Sequence, residues 1–262
     1  MARNNVQVGG VPGRPVVVFS HGFGCDQHMW VAVTPHFADG YQVVLFDHVG
    51  AGASDLTAYD PGRYASLDGY AADVVEIVVE LGLGPVTFVG HSVSAMIGVL
   101  AAASRPELFE RLVLVGPSAR YLDDGDYVGG FTAADIDEML EAMDSNYLGW
   151  SSAMAPVITG NADEPRFGEE LAASFCRTDP AIARQFAEVT FTSDSRADLA
   201  RVHTPTLVLQ CADDAIAPAT AGRYVHEHLP HSTFRQMAAT GHTPNLTAPE
   251  ETARLIVEFL GS

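Results

Sequence analysis

The chain has 262 residues, with 33 acidic side chains against 14 basic ones and a formal net charge of −19. Its length suits one large α/β domain carrying an insertion, and a composition of 47 % hydrophobic and 18 % charged residues excludes a disordered chain. The acidity leaves no basic surface for nucleic acid or an anionic membrane, and the complete absence of lysine excludes Schiff-base, Walker-type and Ser-Lys chemistry.

Met1 to Val8 is polar with no apolar signal core, and no apolar run reaches the ~18 residues of a membrane span, so a cytoplasmic chain is expected. Val16 to Ser20 is a continuous apolar run that ends in His21-Gly22-Phe23-Gly24, and Tyr41 to Phe46 is a second. Leu67, Tyr70, Ala71, Val74, Ile77, Val78 and Leu81 then form a helical stripe. Val86 to Val89 is a third run, followed by a helix of small residues from Ser94 to Ala103, and Leu112 to Val115 is a fourth. Runs apolar on both faces read as strands of a buried parallel sheet.

The alternation stops between about Arg120 and Ser195, where the pattern is helical only. Ile136, Met139, Leu140, Met143 and Tyr147 follow the capping signal Thr132-Ala133-Ala134-Asp135, Glu169 to Cys176 is a second helix, and Asp179-Pro180 opens a third. The strand pattern resumes at Thr206 to Gln210 and Thr233 to Met237, and Thr247-Ala248-Pro249-Glu250 reads as a capping box for a last helix to about Leu260. The expected fold is therefore α/β, a mostly parallel doubly wound sheet with an inserted helical cap. Residues 1–119 and 196–262 would form the core, and residues 120–195 the cap over the strands' carboxyl ends, where ligands bind in such sheets.

The strongest chemical signal is Gly90-His91-Ser92-Val93-Ser94, placed between a strand and a helix as a nucleophile elbow requires. Small residues two positions either side of Ser92 satisfy the tight turn, although the usual second glycine is Ser94 here. A serine needs a base, and the base an orienting acid, in the chain order serine, acid, histidine. Asp213 and Asp214 stand at the end of a strand, and His242 lies in a loop before the last helix. Adjacency alone does not choose between the two aspartates. Backbone N–H groups of Val93 and of Phe23, in the loop after the first run, are the expected oxyanion donors. Gly50-Ala51-Gly52 lacks the third glycine of a dinucleotide site. Cys25, Cys176 and Cys211 form no CxxC pair, and no HExxH occurs. No metal and no cofactor are expected.

Ser20-His21-Gly22-Phe23-Gly24-Cys25-Asp26-Gln27, Asp47-His48-Val49-Gly50-Ala51-Gly52-Ala53-Ser54-Asp55 and Gly90-His91-Ser92-Val93-Ser94-Ala95-Met96-Ile97-Gly98 closely resemble the RsbQ-type α/β-hydrolases. These are bacterial stress-signalling proteins related to the strigolactone and karrikin receptors of plants. Gly116-Pro117-Ser118, Tyr121-Leu122-Asp123-Asp124, Gly129-Gly130-Phe131 and Ser174 to Pro180 resemble the same family's cap region. That family also carries serine at the position of Ser94. The resemblance implies an α/β-hydrolase fold, a catalytic Ser92, Asp214 and His242, which decides against Asp213, and an oxyanion hole at Phe23 and Val93. It further implies a four-helix V-shaped cap over an apolar pocket, slow hydrolysis of a small hydrophobic ligand, and positive regulation of a stress sigma factor through a PAS-domain serine/threonine phosphatase. Asn245 departs from a histidine common in the family and is expected to alter the polarity of the pocket rim.

Phe131, Met139, Met143, Trp150, Phe175, Phe191 and Ile216 are candidates to line that pocket, beside Phe23 and Val93; each could equally serve to pack cap against core. A metabolic carboxylesterase or lactonase would use the same chemistry with no signalling partner, whereas a pure binding module has no need of Ser92 and His242 together. From Tyr121 to Glu170 twelve acids face Arg166 alone, either a solvated helix face or a cap that repels anionic ligands and offers an acidic docking surface.

Overall fold

Successive side chains of a strand point to opposite faces, so a run that is apolar throughout must be covered on both. The computed structural model describes residues 1–261. Its seven strands are β1 (Gln7–Gly10), β2 (Val16–Ser20), β3 (Gln42–Leu45), β4 (Val86–His91), β5 (Phe109–Val115), β6 (Thr206–Gln210) and β7 (Ser232–Gln236). They form one sheet in the order β1-β3-β2-β4-β5-β6-β7, parallel throughout except for β1 against β3. Val18, Phe88, Leu112, Leu114 and Val208 belong to one apolar cluster, and their strand neighbours Val17, Phe19, Val89, Val113 and Leu207 to another. The edge strand β1 has no apolar run to announce it: all four of its residues are exposed.

Helix α1 (Leu67–Leu81) carries the expected stripe, with the Ser66 side chain accepting from Asp68 N–H at its start and a left-handed Gly82 at its end. Helix α2 (Val93–Ser104) leaves β4 after a single residue, Ser92. Strand register sets Ser20 beside Gly90 and His91 beside Val115, so the loops after β2, β4 and β5 emerge side by side at one edge of the sheet.

Between β5 and residue 195 the regular structure is helical, in α3 (Ala133–Thr159), α4 (Pro165–Phe175) and α5 (Pro180–Thr192). Thr132 and Asp135 bond reciprocally to open α3, and the Asp179 carboxylate accepts from Ala181 and Ile182 N–H to open α5. Asn146 interrupts α3 with non-helical φ −158 and ψ 80, and its side-chain oxygen accepts from Gly149 N–H. Four helical segments therefore lie in this stretch. All twelve of its acids from Asp123 to Glu170 are exposed. The chain returns through the short α6 (Arg196–Leu199), then α7 (Ala219–His228), α8 (Pro244–Thr247) and α9 (Pro249–Leu260).

The capping box expected at Thr247 does not form. Thr247 closes α8, donating its hydroxyl to Thr243 O, while α9 starts at Pro249 without a side-chain cap. Proline supplies no N–H, so one of the amides that a cap would satisfy is absent. Among the described residues no helix is long and apolar enough to cross a membrane.

Candidate active site

Ser92 is the one residue between β4 and α2, and it holds φ 57 and ψ −124. That conformation costs a side chain about 1–3 kcal/mol and persists only where the surroundings enforce it. Here Ser92 N–H donates to Val115 O at 2.8 Å, and its carbonyl accepts from Ala95 N–H at 2.9 Å. The turn is tight enough that a Cβ on Gly90 would lie 2.3 Å from Ser94 O, so only glycine fits there.

The loops after β6 and β7 bring the acid and the histidine to this elbow. His242 Nε2 lies 2.7 Å from Ser92 Oγ, and His242 Nδ1 lies 2.8 and 3.0 Å from the two carboxylate oxygens of Asp214. The Asp214 carboxylate is fully buried and also accepts from Ile216 and Ala217 N–H at 2.9 Å. Asp213 is exposed, and only its backbone carbonyl takes part, accepting from Gly241 N–H at 2.6 Å. The structure thus pairs His242 with Asp214. His242 N–H in turn donates to Ile158 O at 2.8 Å, which ties this loop to α3.

His91 lies beneath the histidine loop, with Nε2 2.7 Å from His242 O. Burial, with His242 beside it, pushes its pKa down to about 3, so the ring is neutral and its Nε2–H donates. Gly22 packs directly on this elbow: a Cβ there would lie 2.5 Å from His91 Nδ1 and 3.3 Å from Ser92 Cβ. Phe23 follows Gly22, and Val93 is the first residue of α2, where helix amides have no intrahelical acceptor. The loop after β2 and the start of α2 therefore both border Ser92.

Ser92 and His242 open on a small apolar cavity, about 40 Å³, lined by Phe23, Phe131, Met139, Trp150, Phe175, Phe191 and Ile216. Met143 does not line it. It falls on the stripe Ile136, Leu140, Met143, Tyr147, which is buried in the apolar cluster. Val93 is buried in the opposite cluster and does not line the cavity either. A wider groove of about 850 Å³ between α1, α2 and α5 lies away from Ser92 and holds none of these groups.

Several residues at the site escaped the sequence reading. The Tyr121 hydroxyl lies 3.3 Å from Ser92 Oγ, and burial pushes its pKa up, so it stays protonated. Its place six residues beyond β5 follows no spacing rule. Cys25, Met154, Ile158, Leu171, Thr190 and Thr243, with His91, complete the lining. Burial raises the Cys25 thiol to about 12, which removes it as a rival nucleophile at neutral pH. Asn245 is not at the rim: it is fully buried, with Nδ2 donating to Met29 O at 3.2 Å, because the α8 turn points it into the core.

Residues 17–255 match the model of the Alpha/beta hydrolase family. The chain is 41 % identical over 248 residues to the "Karrikin insensitive 2 receptor CA" of Petunia hybrida, covering 94 % of this chain and 92 % of that one. It is 40 % identical over 253 residues to the "Strigolactone esterase D14" of Arabidopsis thaliana, covering 96 % and 94 %. A hydrolase from Oleispira antarctica superposes with a TM-score of 0.97 at 38 % identity, covering all of this chain and 96 % of that one.

Proposed function

The chain belongs to the alpha/beta hydrolase family, and from that premise we propose that it hydrolyses a small, uncharged, hydrophobic ester or lactone through Ser92, His242 and Asp214. The observation that carries this reading is His242, bridging Ser92 Oγ and the Asp214 carboxylate at the floor of an apolar cavity. His242 Nε2 removes the Ser92 hydroxyl proton as Oγ bonds to the substrate carbonyl carbon. The carbonyl oxygen takes up the negative charge between the Phe23 and Val93 amides. Collapse breaks the bond to the alcohol oxygen, which leaves with the proton from His242; in a lactone it stays attached through the acyl chain. Water then adds to the acyl carbon, gives its proton to His242, and the acid departs as Ser92 recovers its hydrogen.

In this reading residues 120–195 form a cap that limits how much water reaches the acyl-enzyme, which makes its hydrolysis, and so turnover, slow. The relative named a strigolactone esterase supports an ester or lactone as the ligand class. The RsbQ-like motifs alone carry the choice of a cytoplasmic sensor that regulates a PAS-domain phosphatase over a metabolic esterase. A pull-down from the native cytosol that recovers such a phosphatase supports the sensor, and one that recovers none leaves the esterase. For the chemistry itself, Ser92→Ala should abolish both p-nitrophenyl acetate turnover and labelling by a fluorophosphonate. Turnover unchanged in Ser92→Ala would overturn the assignment.

A further inference from the structure

The second small residue of the elbow, Ser94, is fully buried and carries a hydroxyl that the acyl chemistry above never uses. Its Oγ donates to His21 O at 2.5 Å, and it accepts from Ser20 Oγ at 2.9 Å. His48 Nε2 lies 2.8 Å away. Since the one Ser94 proton goes to His21 O, His48 must donate through Nε2–H, which leaves Nδ1 as a bare lone pair. That matches the absence of any partner at His48 Nδ1. The hydroxyl then uses its proton and both lone pairs, the full capacity of the group. Burial, with His21 beside it, pushes the His48 pKa well down, so the donor set is stable across neutral pH.

What this cluster holds is the loop after β2. His21 Nε2 accepts from His48 N–H at 3.0 Å, so its proton is on Nδ1, which donates to Gly22 O at 2.9 Å. Gly22 O and Phe23 N–H belong to one trans peptide, and in a trans peptide the two point in opposite directions. Fixing Gly22 O toward His21 therefore fixes the direction of Phe23 N–H. Ser94 anchors the backbone of His21, and His21 anchors the peptide that carries the donor.

We propose that Ser94 is a positioning residue for the oxyanion hole: its hydroxyl, held by Ser20 and His48, locks the His21 carbonyl and so aims the Phe23 amide at the substrate oxygen. A glycine in this place keeps the turn but leaves the His21 carbonyl without this donor. The inference rests on the serine-hydrolase reading and is tested separately from it.

The test compares Ser94→Ala and Ser94→Gly with the wild type. Mis-aimed donors cost less than deleted ones, so kcat for p-nitrophenyl acetate should fall about 10- to 100-fold with KM within about twofold. Inhibition by a trifluoromethyl ketone, whose adduct puts an oxyanion in the hole, should weaken by a similar factor. Ser20→Ala, which removes one supporting donor and keeps the Ser94–His21 bond, should have a smaller effect. The Phe23 amide resonance should shift in both Ser94 variants, a readout that needs no turnover. Should Ser94→Ala fail to fold, Ser94→Gly decides, since glycine is the usual residue at this turn. Wild-type kcat together with an unmoved Phe23 amide in a folded variant would overturn the proposal and leave the function standing. A wild-type chain with no Ser92-dependent turnover would overturn the function, and the amide shift would still decide the proposal.

Discussion

Replacing Asp214 by asparagine changes one atom and inverts one hydrogen bond. One carboxylate oxygen accepts from the Ile216 and Ala217 amides, each at 2.9 Å. Both are donors, so the asparagine carbonyl must take that place. Its NH2 group then stands where the other oxygen was, 2.8 Å from His242 Nδ1. The NH2 donor is nearer to Nδ1 than the remaining carbonyl oxygen, at 2.8 against 3.0 Å, and that oxygen already accepts two amides, so Nδ1 turns acceptor and the ring proton moves to Nε2. Nε2–H would then face Ser92 Oγ, and the lone pair that should take the serine proton is gone. Loss of the correct tautomer in such a triad costs about 10⁴ in kcat, about 5.4 kcal/mol of barrier. The variant is nearly isosteric, so the thermal midpoint should move little. The assay is p-nitrophenyl acetate turnover at pH 7.5, with Asp213→Asn as the control expected within about twofold of wild type. An Asp214→Asn enzyme within tenfold of wild type would refute the tautomer argument, and an Asp213→Asn enzyme with the larger loss would refute the choice of acid.

Two further outcomes follow from the packing of the same loops. Gly22→Ala places a Cβ 2.5 Å from a His91 ring that is itself tied to His242 O, so the loop after β2 must retreat; on the proposed function kcat should fall at least tenfold with about 1–3 kcal/mol lost in chemical unfolding, and a fully active variant would show that the contact yields freely. For Asp26, burial opposes ionisation, but the Arg177 guanidinium and the His28 N–H groups outweigh it and hold the carboxyl below the usual range. A depressed folded pKa contributes stability that is complete above the unfolded value of about 4 and disappears as pH falls through the folded one. The thermal midpoint of Arg177→Ala should therefore lie below wild type at pH 7, with the gap narrowing as pH falls below about 4, and a gap that stays constant into that range would refute the coupling.

The parts of this fold written in the sequence are those with a one-dimensional signature. Val16 to Ser20 and Thr206 to Gln210 are apolar on both faces and became buried strands with the expected ends. The order of Ser92, Asp214 and His242 was readable because each stands just beyond a strand, where topology forces loops together. Asp213 and Asp214 could not be separated that way, since one residue of loop geometry decides which side chain turns inward. Tyr121 was invisible as a partner of Ser92 for a similar reason: a non-helical loop brought it there. Met143 shows the limit of a stripe, which gives the buried face of a helix but not whether that face meets a cavity or solid core. Ser94 is the reverse case. The departure from glycine stood out in the sequence, while its consequence needed the positions of Ser20, His21 and His48.

The two tryptophans of the chain sit in very different places. Trp30 is wholly buried against Phe19, at 5.1 Å between ring centres, and does not line the cavity at Ser92. Trp150 lines the cavity, 5.3 Å from Phe175 and 6.3 Å from Phe23. A molecule that occupies the cavity must replace whatever surrounds one face of Trp150 and leave Trp30 as it was. The protein therefore carries its own optical reporter, with a silent internal reference. Emission that changes in the wild type and not in Trp150→Phe measures occupancy of the site without labels, and without requiring that the occupant be cleaved.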